Sequence, residues 1–199
     1  MKKLLGVLGA VALAFVLASA SAAQQPQQQP QQTPPTASAP QAAAPAEIGV
    51  KAEFLRQFDA AATKLTRLAE AMPAENYGWR PMEGVRSVSE VFMHVASGCY
   101  GFARTLGTPV PEGIDPRQLQ QVTDKAKVTE ELKKAFAHMR GAAEKLNEAD
   151  MTKEVQFRRR QAAMREVLMA IAVHLHEHLG QSIAYARSNK VVPPWSAGN

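Results

Sequence analysis

Four segments of this chain repeat apolar residues at steps of three and four, and nothing alternates with period two over a useful length. That pattern points to an all-α fold. Residues 50–72 place Phe54, Leu55, Phe58, Leu65, Leu68 and Met72 on one face and Lys and Arg elsewhere, with Pro73 ending the run. Ser87-Val88-Ser89-Glu90 has the S-x-x-E pattern of a capping box, so a second helix is expected to start there and run to about residue 106. Its inward line is Val88, Val91, Val95, Gly98 and Phe102, with His94 beside it. After a long turn rich in Gly and Pro, Thr129 is expected to cap a third helix with the stripe Leu132, Phe136, Met139, Ala143 and Leu146. The fourth and longest helix is expected over residues 161–188, closed off by Pro193 and Pro194. Four amphipathic helices joined by connections of differing length make a four-helix bundle, in which a cofactor site lies between facing helices.

The first quarter of the chain is of another kind. Lys2 and Lys3 precede an apolar run at residues 4–17 and a small-residue stretch, Ala18-Ser19-Ala20-Ser21-Ala22-Ala23, with overlapping A-x-A sites. Residues 1–22 therefore read as a signal peptide for export to a bacterial periplasm or beyond, leaving no membrane span once it is removed; the alternative is an uncleaved anchor, since with the Ala/Ser tail the uncharged stretch reaches about 20 residues. Residues 24–46 hold no charged and no large apolar side chain, and six of the 13 prolines, so residues 23–47 read as a disordered Gln/Pro-rich linker. The domain is then residues 48–199, about 150 residues, enough for a core without disulfides. The single Cys99 cannot pair within the chain and is expected as a buried thiol. The formal charge of +5 falls to about +3 without Lys2 and Lys3, and the bases are scattered among acids. Nucleic acid is not an expected partner.

The chemistry concentrates in the last helix, which carries His174, His176 and His178. Residues four apart lie one above the other, so His174 and His178 can reach a common point while His176 points away. Steps of three and four give Met164, Val167, Ile171, His174, His178, Gln181 and Tyr185, so the pair interrupts the apolar stripe of its own helix. Two imidazoles in a core seam are costly unless their nitrogens find partners. A metal ion is one such partner, and His94 is the other inward-leaning imidazole. Three His ligands leave a position for water, as in a catalytic zinc site. The alternative is a pair of core histidines bonded to Gln181, Tyr185 or carbonyls. His176 and His138 are read as surface residues and Glu177 as solvated. Glu90, one turn before His94, is the candidate general base, although a capping box already gives it a structural task. Arg158-Arg159-Arg160 reads mainly as a solvated loop, with an anion or a membrane surface as the alternative contact. Trp79 and Trp195 are read as covers for the bundle ends.

The stretch Ala71-Met72-Pro73-Ala74-Glu75-Asn76-Tyr77 to Arg80-Pro81, then Val85-Arg86-Ser87 and the helix with His94, resembles the DinB-like superfamily. So does His174-Leu175-His176-Glu177-His178-Leu179-Gly180-Gln181-Ser182-Ile183-Ala184-Tyr185-Ala186-Arg187, followed by Val191-Val192-Pro193-Pro194. The resemblance implies a four-helix bundle with a divalent metal, zinc or nickel, held by one His of the second helix and an H-x-x-x-H pair of the last: here His94, His174 and His178. It also implies a possible homodimer. Where many relatives have Arg after the final ligand, this chain has Leu179. The family includes thiol-dependent transferases using bacillithiol, mycothiol or glutathione, but an exported protein lacks ready access to cytosolic thiols. The expected function is thus a metal-dependent hydrolase acting on an unknown small molecule through a metal-bound water. Its alternatives are a metal-binding or stress-related module without turnover, and a thiol-dependent transferase.

Overall fold

The computed structural model describes residues 48–196. The expected signal peptide at residues 1–22 and the linker at 23–47 lie outside the described residues. Four helices carry the fold: α1, Val50–Ala71; α2, Val88–Thr105; α3, Lys125–Glu144; and α4, Met164–Ser188. Among the described residues no helix is long and apolar enough to cross a membrane.

Helices α1 and α4 pack together, as do α2 and α3, and the ring closes through α1 on α3 and α2 on α4. The four stripes expected from the periodicity meet inside it: Phe58, Leu65 and Leu68 from α1, Val91 and Val95 from α2, Leu132 and Met139 from α3, and Val167 and Ile171 from α4 are all buried. Cys99 is buried among them as a free thiol, and burial pushes its pKa up. The α1–α2 connection folds back through Tyr77, whose hydroxyl donates to the Ala69 carbonyl at 2.7 Å. The capping box at the start of α2 forms as its sequence predicts. Ser87 Oγ accepts from the Glu90 backbone N–H, and the Glu90 carboxylate accepts from the Ser87 N–H at 2.6 Å.

Three local expectations need correction. Helix α3 starts at Lys125 rather than at Thr129, because Asp124 is its cap and accepts from Lys127 N–H at 2.9 Å. Thr129 lies inside the helix, its hydroxyl donating back to the Lys125 carbonyl. Helix α4 starts at Met164 rather than at residue 161. The three preceding residues belong instead to an antiparallel hairpin of β1, Glu154–Phe157, and β2, Arg160–Ala163. Val155 and Phe157 turn toward the bundle while Glu154 and Gln156 face water, so the period-two signal exists but lasts only four residues. The all-α expectation thus holds for the bundle and fails for this hairpin. Arg158 and Arg159 form its two-residue turn and Arg160 begins β2.

Candidate metal centre

Helices α2 and α4 bring His94, His174 and His178 together. Their ring centroids are 5.3 Å apart for His94 and His174, 4.8 Å for His94 and His178, and 4.6 Å for His174 and His178. One ligand nitrogen from each ring lies within 4.8 Å of the others. His178 is buried and the other two are half-buried. The nearest pair, His94 Nε2 and His174 Nε2, is 3.3 Å apart. A tetrahedral ion held at about 2.0–2.1 Å from each nitrogen sets donors about 3.3–3.4 Å apart, so this separation fits a shared ion.

His94 and His174 are held neutral near pH 7, as ligation requires. Burial, followed by the Arg86 guanidinium and then His178, lowers His94 to about 4, with Glu177 pulling the other way. Burial first, then His178, His94, Arg158 and Arg86, lowers His174 to about 4. A relay fixes the third ring. His178 Nδ1 donates to Gln181 Oε1 at 2.8 Å, Gln181 Nε2 donates to the Tyr185 hydroxyl at 3.2 Å, and that hydroxyl donates to the Arg86 carbonyl at 3.1 Å. With its Nδ1 proton committed, His178 presents the Nε2 lone pair to the cluster. The relay ends on the residue before the α2 cap, so the last helix is tied to the helix that carries His94. Gly98 of α2 gives the His174 ring its room, since a Cβ there would sit 2.9 Å from His174 Cε1.

The remaining candidates lie elsewhere. Glu90 is half-buried at the α2 cap, its carboxylate shared between Ser87 N–H and Arg80, 3.3 Å away. His176 and Glu177 are exposed. His138 is not a surface residue: it is half-buried against Tyr100, its Nε2 is buried without a partner, and burial lowers its pKa. Trp79 stacks edge-on to Tyr185, 5.2 Å away, and Lys64 lies over Trp195. Sequence reasoning missed one wall of the site. His94 and His174 open onto a cavity of about 370 Å³ whose sides include Phe102 of α2 and Phe157 and Arg158 of the hairpin. Phe102 stood on the inward line of the second helix; for the hairpin, the alternation of Val155 and Phe157 just before the Arg158-Arg159 pair was the signal.

The sequence profile described as the DinB superfamily matches residues 57–182, a span that holds all three histidines. The chain belongs to the DinB superfamily. Among solved structures this DinB chain is similar to a DinB-like protein from Bacillus cereus ATCC 10987, with a TM-score of 0.63 and 15% identity over 71% of this chain and 93% of that one. It is also similar to a DinB-like protein from Bacillus subtilis, with a TM-score of 0.57 and 20% identity over 70% and 94% of the two chains. A conserved protein from Enterococcus faecalis gives a TM-score of 0.54 at 14% identity over 71% and 97%. At these identities the likeness is one of fold. No curated protein matches the chain.

Proposed function

We propose that this DinB protein is an exported metal-dependent hydrolase of a small-molecule substrate, with His94, His174 and His178 holding one divalent ion, zinc or nickel. The observation that carries the proposal is the 3.3 Å approach of His94 Nε2 and His174 Nε2 within a set of three converging imidazoles. The donor set suits borderline metals that favour nitrogen ligands. Bound there, the ion would supply Lewis-acid polarisation and lower the pKa of water at its open position.

The chain's own residues do the rest. Gln181 and Tyr185 hold His178 in one tautomer, Gly98 sets the depth of the His174 ring, and Phe102 packs edge-on to that ring at 5.4 Å, shielding it from water. Glu90 enters as the candidate base, which requires its carboxylate to leave Ser87 and Arg80 during turnover. Its engagement there favours a second reading, a metal-binding module without turnover.

Elemental analysis of the mature, untagged protein tests the metal: one zinc or nickel per chain is expected, lost in His174→Ala and His178→Ala. A panel of esters, amides and lactams then separates the two readings. Hydrolysis that falls in Glu90→Gln at full metal content supports the enzyme with Glu90 as base, whereas full metal with no turnover supports the module.

A further inference from the structure

The cavity above His94 and His174 has one charged side chain in its lining, Arg158, and no acid. Its walls are otherwise largely apolar, with Phe102 and Phe157 tilted toward each other, ring centroids 6.2 Å apart. Arg158 is exposed, and its guanidinium lies over the Phe157 ring at 5.2 Å, which places the cation at the rim. Arg158 also sits at a costly backbone position. It is the first residue of the two-residue hairpin turn and has φ of 56°, a left-handed conformation that Gly, Asn or Asp adopt more readily. A long cationic side chain at such a position, beside the mouth of the site, is poorly explained by the turn alone.

Charge adds to the argument. Among the residues that line the cavity no carboxylate stands beside Arg158 to balance its charge. A ligand entering here meets a positive rim, apolar sides and the imidazoles as floor. The cavity, about 370 Å³, has the volume of a small-molecule site.

We infer that Arg158 is a specificity-determining residue that binds the carboxylate of a compact, singly charged organic acid, whose apolar body lies against the wall that Phe102 and Phe157 form together. A single guanidinium matches the planar, two-oxygen edge of a carboxylate. The assignment deepens the proposed function by naming its substrate class and rests on that reading for its catalytic meaning, though binding of the acid does not require it.

Calorimetry with 3-phenylpropionate, its neutral amide and the matching phosphonate tests it, on zinc-loaded and zinc-free protein, in wild type, Arg158→Gln and Arg158→Gly. Wild type is expected to bind the carboxylate at least about tenfold more tightly than the amide, the scale of one charge-assisted contact. Both variants should lose that preference with zinc stoichiometry unchanged. Arg158→Gly should also show no loss of thermal midpoint, because glycine relieves the left-handed turn, which separates a binding defect from a folding one. A preference that survives in both variants overturns the assignment, as does absence of binding by any probe or a phosphonate bound more tightly than the carboxylate. If wild type takes up no zinc but the preference is present and depends on Arg158, the metal reading fails and the assignment of Arg158 stands.

Discussion

The α1–α3 side of the bundle and its α2–α4 side follow the same three-and-four spacing but fill it with different chemistry. Between α1 and α3 the inward positions are Phe58, Leu65, Leu132, Phe136 and Met139, with Phe58 and Phe136 edge to face at 5.9 Å. Between α2 and α4 comparable positions hold His94, Gly98, His174 and His178. The first side gains its free energy from apolar burial. The second gives up part of that gain to place nitrogens at the floor of a cavity, and not all of them are satisfied: His174 Nδ1 is buried without a partner. The contrast implies a division of labour in which the apolar side supplies the stability that lets the polar side exist.

The sharpest way to break this division is to truncate one residue on each side. Leu65→Ala should cost about 2–5 kcal/mol in urea unfolding while metal per folded chain stays at the wild-type level. His178→Ala should do the reverse, abolishing stoichiometric metal with a smaller change in the stability of the chelated protein. With zinc at a thousandfold over its dissociation constant, wild type should gain about 4 kcal/mol that the His178→Ala protein lacks. Equal losses in both measurements for both variants would mean that the two sides form one unit.

The contrast also accounts for what the sequence made legible. The bundle could be read because each stripe is long enough for its period to register, and the ligand trio because His174 and His178 fall on the buried stripe of their own helix. The hairpin could not, since four alternating residues from Glu154 to Phe157 fall below any period test and Arg158 carries no glycine to mark its turn. The start of α3 was missed because Thr129 and Asp124 are both good caps, and only the backbone decides between them. The cavity wall was invisible for a related reason: Phe102 and Phe157 meet through tertiary contact between α2 and the hairpin.

Acid should separate the sides next. His94 and His174 are lowered from an ordinary 6.5 to about 4, so between those values the unfolded chain takes up protons that the folded chain refuses. The metal-free protein should therefore hold its stability above about pH 6.5 and lose it progressively toward pH 4. The double variant His94→Gln, His174→Gln should lose much less over that window, which thermal midpoints at half-unit pH steps would record. A slope that persists in the double variant would place the acid-sensitive groups on the other side of the bundle.

A smaller effect is expected at the relay. Gln181→Leu leaves the fold its packing but removes the acceptor that fixes the His178 tautomer, and the loss of such an outer partner weakens metal binding by about 10–100-fold. Competition with a chromogenic chelator measures this directly. Tyr185→Phe should have a weaker effect in the same direction, because Gln181 keeps its contact with His178 Nδ1.

The smallest change belongs to Glu90, which tests whether the α2 cap and the metal centre are independent. Its carboxylate is held below the usual range chiefly by the Ser87 backbone N–H and, to a lesser degree, by the Arg80 charge. Glu90→Ala should cost about 1 kcal/mol, the value of a helix cap. The sign of its pH dependence follows from the lowered pKa: the contribution is present above the ordinary carboxylate value and disappears as Glu90 is protonated in acid, so wild type and variant should converge there. Metal content should not change, because the cap acts one turn before His94 and helix α2 remains anchored by Val91 and Val95 in the core. A fall in zinc affinity larger than the fall in stability would show that the cap sets the position of His94, and the separation between scaffold and site would then end at the first turn of α2.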